Sequence, residues 1–405
     1  MPQLLPPPPL RVVRKKDDPV PVSAHSEIAA VKAEINKEYG EDTVRKASRL
    51  PLFTHIPTGV FVLDLALYGG LPEQTASQIV GWESSGKTTL AYLAAAEAQR
   101  KYPNSVVIWV DTDNMFDPSY ARLLGADPER IELLQPESGE QAVNGLVAMA
   151  QTIEASLVIL DCIASLVPQK VIDEAAEDAH VALVARLTGR MCSKMQAAFH
   201  KERRRAHRFS FLSINQYRFK VGVMFGDPRT IPGGVQQNFF HMTRVEMSNK
   251  VKYEKIDGAE YAWENQHTFK VMKSKGGTAM RQGEFQIAID TRHPAGFGGK
   301  IEAPTVRAFG QQFGIVQGAK KLLIPEWGVE ANTQAALEEK LIQDPALMLY
   351  VKQRCLIAAR RRQGLPDLPL DNYLLGKIVL PPSKPVRGHA PVAPKKPAPK
   401  PPRVR

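Results

Sequence analysis

The chain has 405 residues, 43% of them hydrophobic and 23% charged, with a formal net charge of +11. That is enough apolar material to bury a core over two or three domains, and no apolar run approaches the ~18 residues a membrane span needs. The N-terminal MPQLLPPPPLRVVRKK has no charged leader before an apolar stretch, so no secretory signal is expected. Three scattered cysteines (Cys162, Cys192, Cys355) make neither a disulfide framework nor a zinc site and suit a reducing, cytoplasmic setting.

The charge is uneven. Residues 381–405 hold seven Lys/Arg, no Asp/Glu and nine of the 32 prolines, residues 1–22 hold seven more prolines, and RVVRKKDD at 11–18 adds +2. The middle is left close to neutral. The ends therefore read as a disordered Pro-rich arm (1–22) and a basic Pro-rich disordered tail (381–405), with ordinary globular sequence between them. A tail of that charge binds polyanions without sequence preference, and is expected to raise DNA affinity and its salt sensitivity.

In chain order, SEIAAVKAEINKE at 26–38 predicts an amphipathic helix with Ile28, Val31 and Ile35 on one stripe and Ser26 as N-cap. From about Phe53 to Asp290, apolar runs of strand length at 77–81, 106–111, 157–161 and 209–214 alternate with helical stretches near 87–101, 117–124, 139–154 and 181–206. Buried strands alternating with helices predict an α/β fold with a mainly parallel sheet flanked by helices. Further strands are expected around 242–248 and 267–273, joined by a hairpin connection over 249–266. Residues 296–380 change character: helical patterning dominates at 333–342 and 345–362, which reads as a small α-rich domain. The basic runs HKERRRAHR at 200–208 and Arg360-Arg361-Arg362 read first as solvated helix ends.

The sharpest motif is Gly81-Trp82-Glu83-Ser84-Ser85-Gly86-Lys87-Thr88, which fits GxxxxGK[ST] between the strand SQIVG and the helix KTTLAYLAAAEAQR. Its glycines let backbone N–H groups wrap phosphates, and the helix N-terminus adds its positive dipole end. Lys87 would reach the β/γ-phosphates of ATP, and the Thr88 hydroxyl would ligate Mg²⁺. The buried strand LVILD ends in Asp161, suited to holding that Mg²⁺. A third acid must orient the attacking water. Asp111 ends the strand SVVIWVD and Asp113 follows on the same edge; spacing alone leaves both open.

Residues 217–232, YRFKVGVMFGDPRTIP, are broken by glycine and proline yet carry aromatics and cations. Arg218, Lys220 and Arg229 supply charge for phosphates. Met224 and Phe225, beside Val223 and followed by Gly226, are apolar in a segment unsuited to a core. Apolar side chains beside backbone-binding cations suit single-stranded DNA, and Gly233-Gly234 close the segment.

With these residues in view, the sequence resembles the RecA recombinase family over about residues 26–290. WESSGKTTL, VDTDNMFDPSYARLLGAD, LVILDCIASLVPQ, LSINQYRFKVGVMFGDPRTIPGG and KVMKSKGGTAMRQGEFQI follow one another in the family's order. The resemblance implies a RecA-type P-loop NTPase core in which Gly81 to Thr89 (Glu83, Ser84, Ser85, Gly86, Lys87, Thr88 and Thr89 included) hold ATP and Mg²⁺. It implies that Asp161 supports the metal and that Asp113 stands where the family has its water-activating Glu. Asp117 and Tyr120 would contact adenine, and Gln216 would sense the γ-phosphate. Lys273 and Lys275 would reach a neighbour's ATP across the interface, and Phe239 would transmit the signal between subunits.

The chain departs from the family at Asp113, one methylene shorter than Glu, and at Cys162, where Ser is usual. The first DNA loop, DEAAEDAHV at 173–181, carries four acids and no glycine, and the tail is basic where the bacterial family often ends acidic. Such divergence looks like a phage- or plasmid-borne member, acting in the bacterial host cytoplasm.

The layout expected is an arm (1–22), a polymerisation helix and strand (23–56), the ATPase core with its DNA loops (57–292), a small C-terminal domain (293–380) and the tail (381–405). The function implied is that of a DNA-dependent ATPase for homologous recombination and repair. It would form helical filaments on single-stranded DNA, pair them with homologous double-stranded DNA and exchange strands, with no membrane partner. The competing readings are a ring-forming DNA motor, and a scaffold that binds ATP and DNA without turnover.

Overall fold

The computed structural model describes residues 22–41, 43–49, 54–152, 154–173, 181–204, 209–219, 228–276 and 279–367. The Pro-rich arm before residue 22, the basic tail, residues 174–180 of the acidic loop, residues 205–208 of the basic run, and Lys220, Met224, Phe225 and Gly226 lie outside the described residues. The chain divides into two units, residues 1–52 and 53–405.

The first unit holds helix α1 (Val22–Tyr39). It starts before Ser26, so the serine expected as N-cap lies inside the helix. Asn36 ties the following turn to it, accepting from the Val44 N–H (2.7 Å) and donating to the Val44 carbonyl (3.1 Å).

In the second unit, β1 (His55–Ile56), α2 (Phe61–Leu67) and β2 (Leu71–Pro72) lead into β3 (Ala76–Gly81) and α3 (Lys87–Lys101). Then come β4 (Val106–Asp111), α4 (Pro118–Leu123), β5 (Ile131–Leu134), α5 (Gly139–Ala150), β6 (Ala155–Asp161), α6 (Gln169–Asp173), α7 (Val181–Arg204) and β7 (Ser210–Gln216). The short strands β8 (Arg218–Phe219) and β9 (Arg229–Thr230) pair with each other, and α8 (Gln236–Phe240) follows. With β10 (Thr243–Ile256), β11 (Ala259–Ser274) and β12 (Gln282–Ala288), the main sheet has eight strands in the order β12-β11-β10-β3-β7-β6-β4-β5. Pairing is parallel from β10 to β5 and antiparallel between β10, β11 and β12.

This is the mainly parallel sheet the apolar runs predict. Its strands β3, β4, β6 and β7 are buried along nearly their whole length because helices cover both faces. One face packs Ile79, Tyr92, Trp109 and Leu157; the other packs Ile108, Leu146, Val158, Met191 and Phe211.

The strands expected near 242–248 and 267–273 run much further. They continue to a turn at Asp257-Gly258, both with positive φ (51° and 85°), the geometry that favours Asp-Gly in a two-residue hairpin. Beyond Ser248 most side chains of β10 are exposed, and the alternation there is short, with Val251 and Tyr253 apolar between Lys250, Lys252 and Glu254.

After β12 come α9 (Ala303–Phe313), the hairpin β13 (Leu322–Ile324)–β14 (Val329–Ala331), α10 (Gln334–Gln343) and α11 (Pro345–Arg362). The two predicted helical stretches correspond to α10 and α11. Their core includes Phe61, Leu65 and Tyr68 around α2, packed with Val306, Leu337 and Val351. Arg360 also donates to the Tyr68 carbonyl at 2.6 Å, so one cation of the Arg360-Arg361-Arg362 run is a buried tie.

Asp64 on α2 accepts from both the backbone N–H and the hydroxyl of Thr58 (2.7 Å each). Burial raises its carboxyl from 3.8 to about 7. The folded state therefore keeps a proton that the unfolded chain releases near pH 4. The stability this group contributes is complete below about pH 4 and is lost as the pH rises to about 7. Asp64→Asn keeps an acceptor for Thr58 without a charge to bury. Denaturant melts between pH 4 and 7 are expected to show wild-type stability falling by up to ~1.4 kcal/mol per pH unit through this group, and the variant lacking that slope. Equal slopes would contradict the assignment.

Candidate functional site

The carboxyl ends of the central strands form one edge, and the registers bring the motif residues to it. Gly81 on β3 pairs with Gln216 on β7, and Asp111 on β4 pairs with Asp161 on β6. In a parallel sheet, ligands bind at this edge.

The loop 81–86 curls back into α3. Gly86 has φ +88° at the helix N-cap, and a Cβ there would lie 2.5 Å from the His267 ring. A side chain at Gly81 would meet the Met247 carbonyl at 2.5 Å. Both glycines are thus demanded by close approach. His267 on β11 packs under the loop, its Nδ1 3.3 Å from the Ser85 carbonyl and its ring stacked on Phe285. Burial lowers its pKa, which favours the neutral ring. Sequence reasoning missed His267, which lies 182 residues from Ser85 and belongs to no local motif.

Lys87 is buried at the start of α3, where its ammonium donates to the Trp82 carbonyl and to Ser85 Oγ. Burial lowers its pKa, and the Asp161 charge opposes the shift. Glu83 and Ser84 are exposed, and Ser85 is buried. Thr88 Oγ1 donates to Asp161 Oδ2 at 2.9 Å. Burial raises the Asp161 carboxyl to about 6, the Thr88 hydrogen bond working against it. A buried carboxylate beside a hydroxyl is a hard-oxygen donor pair that fits Mg²⁺.

The two acids left open by spacing are used differently. Asp111 is 2% exposed and accepts from the backbone N–H groups of Met115 (3.2 Å) and Phe116 (3.0 Å) and from Gln135 Nε2 (3.1 Å). It holds the turn after β4. Asp113 lies with Asp161 and Cys162 in a group whose ligand atoms are within 4.8 Å of one another. Cys162 Sγ donates to Asp113 Oδ2 at 3.5 Å, and burial pushes its thiol up to about 12, so it stays protonated. Thr112 joins the two strand ends, its N–H and hydroxyl donating to the Asp161 carbonyl and its oxygen accepting from the Cys162 N–H.

Of the residues expected at adenine, Tyr120 reaches the loop helix, its hydroxyl 3.2 Å from Thr89 Oγ1. Asp117 is exposed and caps α4, accepting from the N–H groups of Ser119 and Tyr120 at 2.8 and 3.1 Å.

Lys273 and Lys275 lie at the other end of the sheet. Lys273 pairs with Arg244, beside Gln78 rather than Gly81, and it donates to the carbonyls of Asn238 and His241. Burial lowers its pKa, with the Lys275 and Arg244 charges adding to the shift. Lys275 is exposed, as is Phe239 on α8, at 76%. The chain therefore does not bring Lys273, Lys275 or Phe239 to its own phosphate loop.

Next to Gln216, the Tyr217 N–H donates to the Gly81 carbonyl at 3.3 Å, so the segment that begins at Tyr217 starts against the loop 81–86. Arg218 donates to the Ala164 carbonyl (3.2 Å), and Arg229 pairs with Glu246 (2.7 Å). Gly233 and Gly234 both take positive φ (99° and 75°) against Ile163, Thr188 and Ala185.

A mostly parallel sheet with a glycine loop entering a helix, and with carboxylates on the adjoining strand ends, defines the class: a P-loop nucleoside triphosphatase on a RecA-type core. Residues 26–292 match the family model described as the RecA N-terminal domain. Protein RecA of Treponema pallidum is 34% identical over 281 residues, 67% of each chain. Protein RecA of Oceanobacillus iheyensis is 35% identical over 257 residues, 63% of this chain and 71% of the relative. Protein RecA of Mycobacterium ulcerans is 33% identical over 325 residues, 76% and 90% of the two chains. The chain belongs to the RecA family, as a divergent member, and is an ATP-dependent recombination and repair protein that forms filaments on single-stranded DNA. The family is one of nucleotide-binding, DNA-dependent ATPases that use ATP and Mg²⁺. Among the described residues no helix is long and apolar enough to cross a membrane.

Proposed function

We propose that ATP binds on the loop 81–89 between subunits of a helical filament, and that its hydrolysis is driven by this chain's Asp113. Lys87 takes the β- and γ-phosphates, and backbone N–H groups from Glu83 to Thr89 wrap them. Thr88 and Asp161 would hold Mg²⁺, which neutralises charge on the phosphates when bound. Asp113 orients and deprotonates the attacking water. Tyr120 and Asp117 flank the base. Gln216, level with Gly81, senses the γ-phosphate and passes its presence to the segment 217–234, where Arg218, Lys220, Met224, Phe225, Gly226, Arg229, Gly233 and Gly234 hold single-stranded DNA. Lys273 and Lys275 serve the neighbour's nucleotide, and Phe239 lies at that contact.

The observation that carries this reading is the register of Gly81 with Gln216 beside the Thr88–Asp161 contact. Nucleotide chemistry and the start of the DNA segment share one strand end. The exposure of Phe239 and the remoteness of Lys273 from its own loop support an action in trans.

The test is homologous pairing. Purified protein with ATP and Mg²⁺ is expected to convert a single strand and a homologous duplex into joint molecules, and to leave a heterologous duplex unpaired. DNA unwinding from rings, without dependence on homology, would favour the motor reading instead.

A further inference from the structure

An aromatic group joins the two sites. The Trp82 ring, in the phosphate loop, packs on Phe219 at 4.7 Å between centroids and on Tyr217 at 5.6 Å. The Tyr217 hydroxyl donates to Glu246 Oε1 at 3.0 Å, the same carboxylate oxygen that pairs with Arg229 at 2.7 Å. Arg229 also lies over the Tyr217 ring at 5.1 Å. Phe219 pairs with Arg229 across β8 and β9. The rings therefore grip both strands that bracket the DNA-loop segment.

Two features mark this group as more than core packing. Phe219 is 65% exposed and Trp82 37% exposed, so the stack contributes little to folding. The Trp82 carbonyl also accepts from Lys87 Nζ. A polyphosphate competes with that carbonyl for the ammonium, so occupancy of the loop acts directly on the residue that carries the ring.

We propose that Trp82, Tyr217 and Phe219 are positioning residues that make the hold on single-stranded DNA depend on what occupies the phosphate loop. The proposal rests on the reading above, with ATP at 81–89 and DNA at 217–234. A triphosphate draws Lys87 from the Trp82 carbonyl, the Trp82 peptide and ring shift, and Phe219 and Tyr217 follow. Through Glu246 the shift reaches Arg229. This path runs beside Gln216 and needs no contact between the rings and either ligand.

The experiment measures the factor by which a slowly hydrolysed ATP analogue raises affinity for a labelled single-stranded oligonucleotide, by anisotropy, in the full chain. Coupling of this kind is typically ~5–150-fold. Phe219→Ala and Trp82→Ala are each expected to cut that factor roughly fivefold, the scale of a lost aromatic pair. The double variant is expected to lose no more than either single, since the two rings act through one contact. Phe219→Ala is expected to bind the analogue without DNA within about twofold of wild type, and Trp82→Phe, which keeps a ring, to retain the coupling. An unchanged factor in both alanine variants, or losses that multiply in the double variant, would overturn the proposal. If wild type binds both ligands with no coupling at all, the reading beneath it falls as well, a result visible before any variant is made.

Discussion

Lys87→Ala is expected to abolish ATP hydrolysis while leaving the fold intact. The ammonium is buried at the first position of α3, within reach of the Trp82 carbonyl and Ser85 Oγ, and it is the one cation among the loop residues 81–89. Preorganised charge aimed at a developing anion acts most strongly in such a dry setting, and losing one such donor costs ~10²–10³ in rate. Folding does not need the charge, because burial already disfavours it. Alanine also has the highest intrinsic helix propensity, so the change does not disfavour α3. Steady-state phosphate release beside a thermal melt reads both expectations. Unchanged turnover would contradict the site, and a collapsed melt would contradict the claim that the charge is functional rather than structural.

The second large effect separates Asp113 from Asp111. Asp113→Asn keeps size and removes the base, and is expected to lower turnover ~10²–10⁴-fold with little change in stability. Asp113→Glu restores a carboxylate one methylene longer and is expected to preserve or raise the rate. Asp111→Asn is expected to act mainly on stability, since the Asp111 carboxylate accepts from two backbone N–H groups and Gln135; replacing one oxygen with an NH₂ leaves one of those donors facing another donor, at a cost of ~1–3 kcal/mol. Phosphate release and denaturant melts on the three variants check this together. A large loss in Asp113→Glu would favour Asp111 or a specialised geometry around Asp113, and a larger catalytic loss in Asp111→Asn than in Asp113→Asn would move the base to Asp111.

Those two acids also show what the sequence could and could not convey. The phosphate loop was legible because its chemistry is local: backbone N–H groups need glycine and a helix start, and both appear within a few residues. The strand-ending acids were legible because continuous apolar runs stop at them. Their different uses were not, because the choice depends on which carboxylate the chain around Met115 and Phe116 folds onto. Asp117 shows a related limit. Its place before Pro118 carries a helix-cap signal of its own, and the structure has it capping α4. The outer half of β10 carries only a weak strand signal, Val251 and Tyr253 alternating with Lys250, Lys252 and Glu254 over a mostly exposed stretch, so 249–266 reads as a connection although both strands run on to Asp257-Gly258. Contacts such as Gly86 with His267, and Trp82 with Phe219, join segments more than a hundred residues apart in sequence. They follow from sheet register, which periodicity cannot supply.

Whether the phosphate loop and the segment beside Gln216 work as one machine is read directly from the effect of DNA on ATP turnover. The rate of ATP hydrolysis is compared at low salt with and without single-stranded DNA, with binding of the DNA followed in the same samples. Strong stimulation by the DNA is expected, lost in Lys87→Ala. DNA bound with no change in the rate would contradict it, and would leave a filament scaffold in place of a recombinase driven by ATP.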